Sequence, residues 1–66
     1  MQLVINGEEK TIEDIDTIKD LLVNLGYEIN SVAVACGDTF VSRSKYAQYK
    51  IKNGEQIEIL QPMQGG

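Results

Sequence analysis

The sequence closes on Gln-Pro-Met-Gln-Gly-Gly, Gln61 to Gly66. The carboxylate of Gly66 is the one group here whose setting suits chemistry carried out elsewhere. Glycine adds no packing and costs the most backbone entropy to order, so a Gly65-Gly66 pair contributes little to a core. Two residues without Cβ make a slender tip that takes dihedrals closed to other residues. Extended at ~3.3 Å per residue, the stretch from Pro62 to Gly66 reaches ~16 Å, enough to enter another protein's active site through a narrow channel. A carboxylate is a poor electrophile, but as an acyl-adenylate it accepts a nucleophile readily. With sulfur as that nucleophile, the product is a thiocarboxylate. On this reading another enzyme supplies the catalysis and this chain supplies the handle.

The side chains offer less. The chain has no histidine, so the usual base at neutral pH is missing. The neighbouring carboxylates Glu8-Glu9 and Glu13-Asp14 fall in polar, turn-like surroundings and read as solvated surface. No glycine-rich loop is present to cradle a phosphate. The single cysteine, Cys36, cannot close an internal disulfide, and no histidine joins it in a metal cluster. Cys36 shares an alternating face with Val32 and Val34, where a free cysteine behaves as a small hydrophobe. No cation adjoins it to lower its pKa. The expectation is a chain with no catalytic residue, no metal and no cofactor of its own.

A body of 66 residues makes one domain, with residues 1–61 as the folded part and 62–66 as a flexible tail. The net charge of −4 argues against nucleic-acid binding, which draws its affinity from cations on phosphate. The charge is uneven. Seven of the ten acids lie between Glu8 and Glu28, and four of the six bases (Arg43, Lys45, Lys50 and Lys52) lie in one ten-residue stretch. This is either solvated surface or an electrostatic handle that steers a partner protein. No apolar run approaches the ~18 residues of a membrane span. The lone thiol and the absence of a secretory signal favour the cytoplasm.

The elements that would carry the tail follow from periodicity. "QLVING" alternates, and Asn6-Gly7 is a hairpin turn signal; "KTIE" can return as a second strand. "TIKDLLVNLG" reads as a helix. Thr17 and Asp20 have capping-box spacing. Ile18, Leu21, Leu22 and Leu25 form one apolar stripe, and Gly26 suits a left-handed end. "SVAVAC" alternates again, Gly37-Asp38 suits a tight turn, and "TFV" begins the return strand. "SRSKYAQY" reads as a loop or one helical turn. Asn53-Gly54 is a further turn, "EQIEILQ" a last strand, and Pro62 stops the pairing. Five strands around one helix indicate an α+β domain: a mixed sheet with the helix on one face and the other face open to water or a partner.

The stretch "VAVACGDTFVSRSKYAQYKIKNGEQIEILQPMQGG" resembles the ThiS family of sulfur carriers in thiamine biosynthesis. The shared features are the alternating strand and turn, the "FV-x-R" segment, Tyr46, the "NGEQIEI" turn-strand and the "QPMQGG" end. Asn6-Gly7 and "T-I-x-D-L-L-x-x-L-G" look like the family's opening strand and helix. The resemblance implies a ubiquitin-like β-grasp fold of five mixed strands on one helix. It also implies sulfur attachment at Gly66, with Gly65 and Gly66 as the tail motif. The implied partners are an E1-like adenylyltransferase (ThiF-like) that uses ATP, a cysteine desulfurase or other sulfur donor, and a thiazole synthase (ThiG-like). The chain departs from the family pattern at Ser42, Cys36 and Glu55, where proline, asparagine and aspartate are common. The molybdopterin synthase small subunit shares the fold and the Gly-Gly end, and so stays an alternative. So does a ubiquitin-like modifier conjugated through Gly66. Leu60, Pro62 and Met63 adjoin the tail; exposed, they would seat a partner, and packed under the sheet edge they would close the core. Phe40 and Tyr46 could contribute to such a patch, but Phe40 is expected to pack in the core at a strand end.

Overall fold

The computed structural model describes residues 1–61. Its strands are β1 (Gln2–Ile5), β2 (Glu8–Thr11), β3 (Ala33–Cys36), β4 (Thr39–Val41) and β5 (Gln56–Leu60), with one α-helix, α1 (Ile18–Leu25). Short 3-10 turns sit at Ile29–Ser31 and Arg43–Lys45. The strands form one sheet in the order β2-β1-β5-β3-β4. β1 and β5 run parallel at its centre, and the other pairs are antiparallel. Parallel neighbours need a crossover, and the intervening chain that carries α1 supplies it.

The first hairpin is tighter than "KTIE" suggests. Asn6 and Gly7 both take left-handed dihedrals, φ 52° and 83°, as a two-residue turn of matching twist requires. Ile5 therefore pairs at once with Glu8, and β2 starts two residues ahead of the expected strand. Ile12 follows β2 and packs into the core instead, its amide donating to the Met1 carbonyl at 2.9 Å.

The helix starts and stops where its capping residues dictate. Thr17 Oγ1 accepts from the Asp20 amide at 3.2 Å, and Asp20 Oδ2 accepts from the Thr17 amide at 3.1 Å and the Asp16 amide at 3.0 Å. The Ile18 and Lys19 amides donate to the carbonyls of Tyr49 and Tyr46. A helix leaves its first four N–H groups without intrahelical partners, and here the segment leading to β5 takes two of them. Gly26 ends the helix at φ 84°. Its amide bonds the Val23 carbonyl and the Tyr27 amide bonds that of Leu22, which closes the last turn as a Schellman motif. The stripe of Ile18, Leu21 and Leu22 is fully buried and packs with Leu3, Ile5, Val34, Ile57 and Ile59 of the sheet in one core cluster.

Candidate functional site

The candidate attachment point Gly66, the Gly65-Gly66 motif and the flanking Pro62 and Met63 lie outside the described residues. The structure does define the root from which they follow. Leu60 is the last residue of β5, 46% exposed and paired with Ala33. It shares the face of Glu58 and Gln56, opposite to the buried Ile57 and Ile59. Of the two readings of Leu60, exposed apolar surface is the one the structure takes.

Phe40 does not pack in the core. It is 68% exposed, and the reason is register. Gly37-Asp38 is a two-residue connection, so Cys36 opposes Thr39 and Phe40 opposes Ala35. Ala35 has the opposite parity to the core-facing Val34 and Cys36, and Phe40 follows it to the open face. Phe40 and Leu60 thus flank the small residues Ala33 and Ala35 on one sheet face. Two strand spacings and a two-residue offset separate their Cα atoms by roughly 12 Å. They are two of the three exposed large hydrophobic residues among those described; the third, Val23, is on the helix. Phe40 also borders a groove of about 490 Å³ along the free edge of β4, with Val41, Lys45 and Tyr49 on its walls. An apolar group of this kind, beside the chain's exit from the sheet, suits a docking protein.

Tyr46 separates from Phe40 in role. It is buried, and its hydroxyl donates to the Val32 carbonyl at 3.4 Å, which ties the 3-10 turn at Arg43–Lys45 to the start of β3. The basic stretch is partly engaged within the molecule. Lys50 Nζ pairs with Asp16 Oδ2 at 2.6 Å on the surface, and Arg43 donates to the Asn30 carbonyl at 3.3 Å.

Cys36 is a buried free thiol. Burial pushes its pKa up, the neighbouring Tyr49 hydroxyl works against that, and the nearby Glu55 carboxylate adds to the rise. Nucleophilic sulfur is thiolate, so this setting works against reactivity, as the sequence suggested. The Tyr49 hydroxyl donates to Glu55 Oε2 at 2.5 Å, and that bond raises the Tyr49 pKa above its ordinary value. Glu55 Oε1 accepts from the Lys52 amide at 2.9 Å. The trio therefore braces the turn before β5. Among the described residues no three His, Cys, Asp or Glu side chains converge to hold a metal ion, and no helix is long and apolar enough to cross a membrane.

One contact near the root has no local signal in the sequence beyond the turn itself: Asn6 Oδ1 accepts from the Ile59 amide at 2.8 Å, across 53 positions.

Comparison with known proteins follows this geometry closely. Residues 3–66 match the family described as the ThiS family. A thiazole synthase of Paramagnetospirillum magneticum is 39% identical over 66 residues, all of this chain and 20% of that protein, so the chain spans about a fifth of that relative's length. The sulfur carrier protein ThiS of Escherichia coli is 29% identical over 66 residues, the whole of both chains. The crystal structure of the thiamine biosynthesis protein ThiS from Geobacter metallireducens superimposes with a TM-score of 0.83 at 26% identity, covering both chains completely. The ubiquitin-like β-grasp fold expected from the sequence is the fold of this chain.

Proposed function

This chain belongs to the ThiS family, and from that membership we propose that it is a sulfur carrier of thiamine biosynthesis working through the Gly66 carboxylate. The observation that carries the reading is extent. The family match runs to residue 66 and so includes Gly65 and Gly66, and the Escherichia coli sulfur carrier aligns over its full length. An E1-like adenylyltransferase joins the Gly66 carboxylate to the AMP portion of ATP and releases pyrophosphate. A persulfide from a desulfurase displaces AMP to form an acyl disulfide, and a second thiol cleaves its S–S bond to release the thiocarboxylate and leave a disulfide. Hydrosulfide from another donor displaces AMP to give the thiocarboxylate directly. A thiazole synthase then takes the sulfur. The 39% identity to part of a thiazole synthase supports that last partnership, because there a region like this chain belongs to the same polypeptide. ATP is the partner's cosubstrate, the folded body of residues 1–61 presents the arm of residues 62–66, and the cytoplasm keeps the reacting thiols reduced.

In this scheme the body contributes docking. Leu60 and Phe40 offer apolar surface beside the departing chain, and a partner that covers them brings its catalytic groups within reach of the arm. Pro62 and Met63, which follow in the sequence, are proposed as further contacts for the same partner.

The test is incubation with ATP, a cognate adenylyltransferase and a sulfur donor, read by intact mass. A gain equal to sulfur replacing one oxygen is expected. Neither a Gly66-deleted protein nor one extended by alanine beyond Gly66 should show it. Ladders of larger conjugates would instead identify a modifier, and sulfur passing to a pterin would identify the molybdopterin branch.

A further inference from the structure

We propose that Asn6 is a positioning residue for sulfur transfer: its side chain substitutes for a missing strand neighbour at Ile59 and so fixes the root of the arm. The proposal rests on the sulfur-carrier reading for its consequence, though not for its geometry.

Along β5 the backbone groups alternate between its two neighbours. The Gly37 amide bonds the Gln56 carbonyl on the β3 side. The Val4 and Asn6 amides bond the carbonyls of Glu55 and Ile57 on the β1 side. The Ile59 amide therefore faces β1, where a longer β1 would supply a carbonyl. It cannot, because β1 ends at Ile5 and the chain turns away at Asn6-Gly7. Asn6 Oδ1 fills the gap at 2.8 Å. Ile59 is 5% exposed while Asn6 is at the surface and the bond partly buried, so the Asn6 side chain covers an amide that faces solvent once that side chain is removed. Without the bond, the end of β5 is held from the β3 side alone, where Leu60 pairs with Ala33 and Ile59 lies opposite Val34 with its own amide turned away.

Two demands meet at Asn6. The left-handed φ of 52° favours Gly, Asn or Asp, while the bond to Ile59 needs a side-chain acceptor. Asn6→Gly keeps the turn and removes the acceptor, whereas Asn6→Asp keeps both. A loosened root must be ordered each time the arm docks, and that ordering weakens binding. It acts on substrate and transition state alike, so it raises KM rather than lowering kcat.

Amide exchange and adenylation kinetics with the cognate adenylyltransferase, carrier concentration varied, test this together. In Asn6→Gly the Ile59 amide is expected to exchange at least about tenfold faster relative to the helix amide of Leu25. KM for the carrier should rise about 3- to 10-fold with kcat within about twofold, and Asn6→Asp should restore both. The ratio to Leu25 cancels a general loss of stability; equal loss of protection at both amides would make Asn6 a residue of the fold at large and overturn the proposal. Unchanged Ile59 exchange, wild-type kinetics in Asn6→Gly, or Asn6→Asp behaving like Asn6→Gly would each overturn it too. Wild-type protein that gains no more adenylate or sulfur than the Gly66-deleted control would sink the carrier reading itself, a result distinct from any of these.

Discussion

The two faces of one sheet are built from the same strands and do different work. Ile59 and Leu60 are adjacent in β5, yet Ile59 is 5% exposed beneath the helix and Leu60 is 46% exposed on the open side. The covered face is continuous: Leu3, Ile5, Val34, Ile57 and Ile59 meet Ile18, Leu21 and Leu22 with no exposed position among them. The open face is mixed, with Phe40 and Leu60 separated by two alanines and bordered by Glu58 and Gln56. In a 66-residue chain the core is small and the stability margin narrow. Every covered side chain then matters to folding. The open face matters little to folding and is free to answer to a partner.

The sharpest way to break this division is at Leu22, which is fully buried. Leu22→Ala should cost about 2–5 kcal/mol through lost transfer energy and a cavity. A domain of this size has only ~3–10 kcal/mol in total, so urea denaturation should find the variant close to unfolded in buffer. A midpoint near wild type would mean that the helix stripe is not what holds the sheet. Leu60→Asp probes the opposite face. Its affinity for the adenylyltransferase, measured by titration, should fall about tenfold or more, ~1.4 kcal/mol. Its unfolding free energy should change by less than ~1 kcal/mol, the span of strand propensities. Equal losses in the two assays would move Leu60 into the fold's support and erase the contrast. Gly26→Ala lies between the two. A Cβ there would meet no atom within 4 Å, so the cost of about 1 kcal/mol comes from φ 84° alone. It should appear as a lower urea midpoint with wild-type partner affinity.

Much of the covered face was legible because its signals are local. The 17/20 capping pair, the helix stripe, Gly26 and the alternation of β5 each span a few residues, and each has the predicted geometry. Phe40 was misassigned although its signal was present. A two-residue turn at Gly37-Asp38 sets the register of β4, and register sends Phe40 outward with Ala35. The contacts of Asn6 with Ile59 and of Tyr49 with Glu55 depend on strand order and on the path of the segment before β5. Strand order pairs the first and last strands in parallel at the sheet centre, which no local pattern encodes. For the chemistry the balance reverses: Gly66 is read from sequence and family membership, while the described residues supply only the surface and the root beside it.

The smallest effect concerns the cap that locks the covered face, and it should appear only against pH. The Asp20 carboxylate is held below its ordinary pKa, chiefly by hydrogen bonds from the backbone amides of Thr17 and then Asp16. A carboxyl group whose folded pKa is depressed binds its proton more weakly folded than unfolded. Its stabilising contribution is therefore complete above the unfolded value of about 3.9 and is lost as pH falls through the lower folded value. Asp20→Asn keeps a side-chain oxygen to accept the same amides but carries no charge and does not titrate. Wild type should thus be slightly more stable than Asp20→Asn at neutral pH, with the urea midpoints converging as acid protonates Asp20. The group is exposed, so the gap should be modest and should shrink further in high salt. Midpoints that stay apart in strong acid would assign the difference to hydrogen-bond geometry rather than charge. The cap would then fix the helix by shape, as the buried stripe does, and the electrostatic part of the covered face's stability would be absent.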